Sequence, residues 1–382
     1  MQVGVGLSTA PDPRTAAAEA TRAAAARLES AEPMLAVLIV SPHFERHAQQ
    51  VLDIVHTVAA PESLVGCVAE AVIAGRREVE GEAAVAVWLS ELPRPAETFH
   101  MQFVQTSAGA VIGGYQFDPS RTDPHLLIPD PYTFPAHILL SHLNEYAPRT
   151  PVMGGYASGT SGHATLFHDT KVVTSGAVGV RLPGVTLRPV VSQGGRPVGD
   201  PYTVTGAQGT VITELAGQPP VQLLRTIAAA LPAGEQQLLA SGVLIGVAVD
   251  EYKAELARGD FLVRAVVGAD DDTGAIQVGD QIEVGTTVQF HVRDAVSADE
   301  DLREALARAK VDGSAAGALL FTCNGRGTRM FDGRDHDAAL VGDTFGDVPV
   351  AGFFAAGELG PVGGKNFMHA FTASLALLAE SG

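Results

Sequence analysis

The sequence predicts a mixed α/β fold: two lobes of largely antiparallel sheet packed together, helices outside, with room for an internal duplication. Three observations point there. Short apolar runs bounded by Gly and Pro alternate with segments of helical spacing along the whole chain. The 382 residues exceed what one core of about 150 residues needs, so two or three structural units are expected. Hydrophobic residues make up 46% and charged residues 18%, with 42 glycines and few aromatics, so the core should be rich in small side chains that let elements approach closely.

The elements follow in order. Asp12-Pro13 is a helix start, an acceptor at the cap and proline at the first helical position, and the alanine-rich run from Arg14 to Ser30 continues it. Met34–Val40 is a short apolar strand. Phe44, Ala48, Val51, Leu52 and Val55 set a helix over His43–Ala60. Leu64–Ala74 reads as one strand and Ala83–Leu92 as another. Arg94–Arg149 is less regular, and its proline-rich Asp118–Pro135 part reads as an exposed connection before a short helix over Pro135–Asn144. Val172–Leu182 and Val185–Ser192 look like paired strands around a Pro183-Gly184 turn. Gly217, Pro219 and Pro220 then break the chain, which suggests lobes of 1–217 and 218–382. Beyond the break come a helix at Gln222–Ala230 and strands at Val243–Asp250, Phe261–Val267 and Thr287–Val292. The last alternates Val288, Phe290 and Val292 on one face. A charged helix over Ala298–Lys310 and a buried strand over Ala318–Thr322 follow.

One short pattern occurs three times. Val65-Gly66-Cys67-Val68-Ala69-Glu70, Met153-Gly154-Gly155-Tyr156-Ala157-Ser158-Gly159 and Ala351-Gly352-Phe353-Phe354-Ala355-Ala356-Gly357-Glu358 each place glycine in an apolar strand that small residues follow. A helical segment precedes each copy. That is what a duplicated unit would leave behind.

Composition excludes several function classes. A formal charge of −18, spread along the chain with no basic stripe, opposes nucleic acid and anionic lipid. Two cysteines, Cys67 and Cys323, make neither a disulfide framework nor a Cys-x-x-Cys zinc pair. Met1–Ala10 lacks a signal peptide's basic and apolar regions, and no apolar run approaches the roughly 20 residues of a membrane span, so a cytoplasmic location is expected. No phosphate loop, dinucleotide fingerprint or Gly-x-Ser-x-Gly elbow is present, although Ser158 and Ser161 lie in a glycine-rich stretch. His43 and His47 would share a helix face, but no third ligand accompanies them, so no metal or other cofactor is expected.

Polar residues converge near the C-terminus, between Cys323 and Thr372. Cys323-Asn324-Gly325-Arg326-Gly327 follows an apolar strand, and an arginine between glycines offers a planar fork to a carboxylate. Gly357-Glu358-Leu359-Gly360-Pro361 supplies an acid, and the next loop supplies Asn366 and His369. Arg326 and Glu358 together would suit a zwitterion such as an amino acid, or form an internal salt bridge. Asn324, Arg326, Glu358, Asn366 and His369 are therefore the candidate ligand contacts. An enzyme using Cys323 as nucleophile and His369 as base is the alternative, and a protein-binding scaffold is a third reading.

Phe261-Leu262-Val263-Arg264, Gln289 to Ala295, Asp301-Leu302, Cys323 to Gly327 and Gly352 to Pro361 occur in an order that resembles the C-terminal half of the FIST family. Leu64 to Cys67, Val152 to Gly159 and Gly176 to Val180 resemble its N-terminal half, so the similarity covers about Met34 to Leu377. The resemblance implies a FIST N-like lobe over 1–217 and a FIST C-like lobe over 218–382. It also implies a sensory module for a small ligand such as an amino acid, whose output passes to a separate signalling protein. The first echo departs from the pattern, since no glycine precedes Glu70.

Overall fold

The computed structural model describes residues 1–29, 33–107, 109–159, 162–249, 251, 253, 256 and 260–381. The expected element ends at Ser30 and Asp250, and Ser161, lie outside them. The chain divides into two compact units. The first holds Met1–Val191, Ala305–Met368 and Ala373–Gly382, and the second holds Ser192–Glu304 with His369–Thr372.

The first unit opens with strand β1 (Gln2–Ser8) and helix α1 (Pro13–Ala25). Asp12 caps α1 by accepting from Thr15 N–H at 2.8 Å. Its alanine face rests directly on β1. A Cβ on Gly4 or Gly6 would sit 2.0 or 1.9 Å from the carbonyl oxygens of Ala24 and Ala20, so small residues on both sides set the spacing. Next come β2 (Leu35–Val40), α2 (Ala48–Ala59), β3 (Ser63–Val68), β4 (Ala71–Ala74), β5 (Arg77–Glu80) and β6 (Val85–Glu91). His43 and His47 fall in a 3-10 turn, Pro42–His47, ahead of α2 and not on one α-helical face. The expected single strand over 64–74 is two strands in different sheets, because a fully buried apolar run carries no alternation to mark a break.

Then follow β7 (Glu97–Thr106), β8 (Gly109–Gly113), β9 (His125–Pro129), α3 (Ala136–Tyr146), β10 (Val152–Gly155), β11 (Leu166–His168), β12 (Lys171–Val173), β13 (Ala177–Arg181) and β14 (Val185–Ser192). The proline-rich stretch expected to be an exposed connection contains β9, all five residues of which are buried. Likewise β13 and β14 do not pair with each other: the turn at Gly184, with φ 74°, sends them into separate sheets.

The second unit is a closed six-stranded barrel of β15 (Gly195–Gln208), β16 (Val211–Leu215), β17 (Val243–Ala248), β18 (Phe261–Ala269), β19 (Ile276–Val278) and β20 (Thr287–Arg293). Helices α4 (Pro220–Ala230) and α5 (Ala233–Ser241) accompany it, and α6 (Ala295–Val311) follows. The alternation read from the sequence holds, since Val288, Phe290 and Val292 are all buried in the core of this unit. The chain closes with β21 (Gly317–Cys323), α7 (His336–Phe345), β22 (Val350–Ala355), β23 (Glu358–Val362), β24 (Lys365–His369) and β25 (Ala373–Glu380).

The three sequence echoes occupy one position in three equivalent units. Strands β2 and β3, β9 and β10, and β21 and β22 each run parallel, joined by α2, α3 and α7. In each pair the glycine faces a leucine: Leu38 and Gly66, Leu127 and Gly154, Leu320 and Gly352. A Cβ on those glycines would lie 1.9, 1.9 and 1.8 Å from the leucine carbonyl oxygen. No other residue fits there. Each unit then passes its next strand to a neighbouring unit, β4 pairing with β22, β11 with β3 and β23 with β10. The exchange is cyclic and ties the first unit together around the C-terminal ends of the three glycine strands.

Candidate functional site

The ends of the parallel strands β21 and β22 carry the polar residues. Strand β21 is buried throughout and delivers Cys323 into a tight turn, in which Arg326 N–H donates to Cys323 O at 2.8 Å and Asn324 N–H donates to Ala355 O at 2.9 Å. Gly327 has φ 57°, and a Cβ there would meet the Phe354 ring at 2.5 Å and Glu80 Oε1 at 2.8 Å. Both backbone and space require glycine.

Arg326 is fully buried. Its Nε donates to Asp337 Oδ2 at 2.7 Å and its Nη2 to Asp337 Oδ1 at 2.8 Å, a two-pronged pair with the start of α7. Asp337 also accepts from the Thr322 hydroxyl and meets His336 Nδ1 at 2.8 Å. The Phe331 ring lies 5.3 Å from the Arg326 guanidinium carbon, and His336 stacks on that ring. Burial pushes the Asp337 carboxyl up, but the guanidinium and the hydrogen bonds override it and hold it well below the usual carboxylate range. Arg326 Nη1 is buried and has no hydrogen-bond partner among the described residues.

Three more acids extend this network. Burial, and then repulsion from Asp337, pushes Glu78 up to about 8, so it is mostly protonated at neutral pH. Its Oε1 accepts Ala338 N–H at 2.8 Å, and its Oε2 has no hydrogen-bond partner among the described residues. Glu80 accepts from Thr328 N–H at 3.1 Å and from its hydroxyl at 2.7 Å. Glu70 pairs with Arg329, whose Nη1 donates to Asn324 O at 2.6 Å. Glu70 N–H donates to Ser158 Oγ at 3.0 Å, and that hydroxyl donates to Phe354 O, so all three glycine strands meet at this point.

The residues expected from the sequence divide accordingly. Cys323, Asn324, Arg326 and Glu358 come together: both Cys323 and Glu358 act electrostatically on Arg326, and Glu358 is fully buried opposite Gly155. Asn366 is in the same unit with its amide committed to backbone. Its Oδ1 accepts Val152 N–H and its Nδ2 donates to Thr150 O, each at 2.9 Å. His369 is buried at the end of β24 and belongs to the second unit. Sequence reasoning missed Asp337, Glu78, Glu80, Glu70 and Arg329. Only the acid run Asp335-His336-Asp337, eleven residues beyond Arg326, could have suggested the partner. Among the described residues no group of three or more His, Cys, Asp or Glu is placed to hold a metal ion, and no helix is long and apolar enough to cross a membrane.

A buried charge network at the ends of parallel strands, beside a glycine turn, is where an α/β protein places a small-molecule site. The sequence matches the FIST N domain over residues 34–218 and the FIST C domain over residues 222–361. The chain belongs to the FIST family, whose domains are sensory ligand-binding modules in signalling. It is 54% identical to the uncharacterized protein Rv0628c of Mycobacterium tuberculosis over the full length of both chains. It is 51% identical to the uncharacterized protein Mb0898c of Mycobacterium bovis, over 100% of this chain and 99% of the other. The boundary between the two matched domains does not follow the division into compact units, since the third glycine strand lies in the FIST C match but folds into the first unit.

Proposed function

We propose that this chain is a cytoplasmic sensor that binds an amino acid or similar small zwitterion and reports its presence to a separate signalling protein. The observation that carries this reading is the buried Arg326. Two of its nitrogens are held by Asp337, Nη1 has no hydrogen-bond partner among the described residues, and the Glu358 carboxylate acts electrostatically on the guanidinium. The ligand carboxylate takes the Nη1 donor with help from Asn324, and the ligand ammonium pairs with Glu358. Asn366 acts from behind, holding residues 150–152 against β24, and is a positioning residue. His369 is not part of the proposed site. Because Arg326 is closed to solvent, binding has to open the 323–329 turn. A site that must move to fill is what couples occupancy to an output.

A thermal-shift screen against the twenty amino acids tests this. At least one should raise the melting temperature by mass action, and Asn324→Ala should reduce that shift. The reading fails if none shifts it, or if Asn324→Ala and Arg326→Lys leave the shift intact. A Cys323-dependent enzyme is the second reading, supported by the positive charge of Arg326 acting on Cys323. Rapid alkylation of Cys323 at neutral pH would favour it.

A further inference from the structure

The seven-stranded sheet of the first unit ends on β8. That strand pairs with β7 in unbroken register from Gln102 and Gly113 to Thr106 and Gly109, and its other edge is open among the described residues. Natural edges are guarded by charge, proline or a bulge. This one, Gly-Ala-Val-Ile-Gly, has none of these. From Met101 to Phe117 the chain carries no Asp, Glu, Lys, Arg or His at all, in a molecule of charge −18.

The apolar exposure of the unit gathers here. Of the six exposed large hydrophobic residues described in the first unit, five lie between Val104 and Tyr146. Val104 and Val111, 52% and 53% exposed, stand directly opposite each other on one face of the hairpin. Ile138 and Tyr146 of α3, with Val111, line a groove of about 510 Å³ beside the edge. The aromatic wall behind it is fixed: Tyr115 stacks on Phe99 at 4.0 Å, and its hydroxyl hydrogen-bonds His125 Nε2 at 3.1 Å.

Charge decides what covers this face. A basic partner gains nothing from an uncharged patch on an acidic protein and would bind elsewhere. A second copy of this chain is repelled by the rest of the surface and can approach only where charge is absent. We propose that two copies join through β8, antiparallel to its twin, with Val111 on the two-fold axis and Gly109 opposite Gly113 of the partner subunit. Such an interface is isologous and closes on itself, so it gives a dimer and not a fibre.

Sedimentation velocity of the full chain across the micromolar range tests it. The wild type should move from monomer to dimer with concentration. Val111→Asp places two like charges at the axis and should weaken association at least tenfold, with native Trp88 fluorescence as the check on folding. Hydrogen exchange supplies a second readout: the β8 amides that face away from β7 should be protected in the wild-type dimer and lose protection on dilution. A wild type that stays monomeric throughout, or a folded Val111→Asp variant that associates as tightly as wild type, overturns the proposal. So does a dimer in which the β8 amides facing away from β7 remain unprotected.

Discussion

Replacing Glu78 by glutamine perturbs the electrostatics of the buried network at one atom. Glu78 is 2% exposed, and its folded-state value is raised from 4.5 to about 8, first by burial and then by Asp337. A carboxyl raised on folding favours the folded state fully below its unfolded value, and that contribution is lost as pH rises through 8. At pH 7 the folded chain holds a proton that the unfolded chain has released, which at about 1.4 kcal/mol per pH unit costs roughly 3 kcal/mol. Glutamine keeps the acceptor for Ala338 N–H and removes the titration. Glu78→Gln should therefore be about 2–3 kcal/mol more stable than wild type at pH 7, with the advantage shrinking toward zero near pH 4.5. The single tryptophan, Trp88, is buried in the core of the first unit, so urea unfolding followed by its fluorescence reads this unit. The same stability difference at pH 5 and pH 8 would refute the reasoning.

Other outcomes follow from the same structure. Arg326→Met strands the Asp337 carboxylate in the core and should cost about 3–5 kcal/mol, and adding Asp337→Leu should recover most of it, as a urea double-mutant cycle would show. Gly352→Ala drives a methyl into Leu320 O and should cost on the order of 4 kcal/mol or prevent folding, while Gly75→Ala, strained but with open space, should cost about 1 kcal/mol; melting temperatures separate them. His125 is buried neutral, its value lowered to about 3 chiefly by burial, so the stability it contributes above pH 6.5 should drain away as pH falls toward 3 and be regained in a His125→Asn variant followed by acid titration. Burial holds the Cys67 thiol far above its ordinary value, and a thiol-reactive dye should label Cys323 before Cys67 in the native protein.

How much of this was legible in the sequence depended on whether burial left a pattern. β20 was readable because one face of it is buried and its residues alternate. α1 was readable from its cap and proline. β3 and β4 merged into one expected strand because both are buried on every side. β9 stayed hidden because prolines flank a strand that the core covers completely. The glycine echo pointed to real equivalence, since a carbonyl approaching within 2 Å of a missing Cβ leaves no choice of residue. The polar cluster was half visible. Arg326 and Glu358 stood out beside glycines, but the partner that holds Arg326 sits on a helix face where an aspartate looks like ordinary surface.

Hydrogen exchange of the wild-type chain, with and without the amino acid that shifts its melting temperature, tests the central claim most directly. Ligand should change exchange at 323–329 and around Glu358, the segments that must open and close over Arg326. Exchange altered only elsewhere in the chain, with these segments untouched, would contradict that claim.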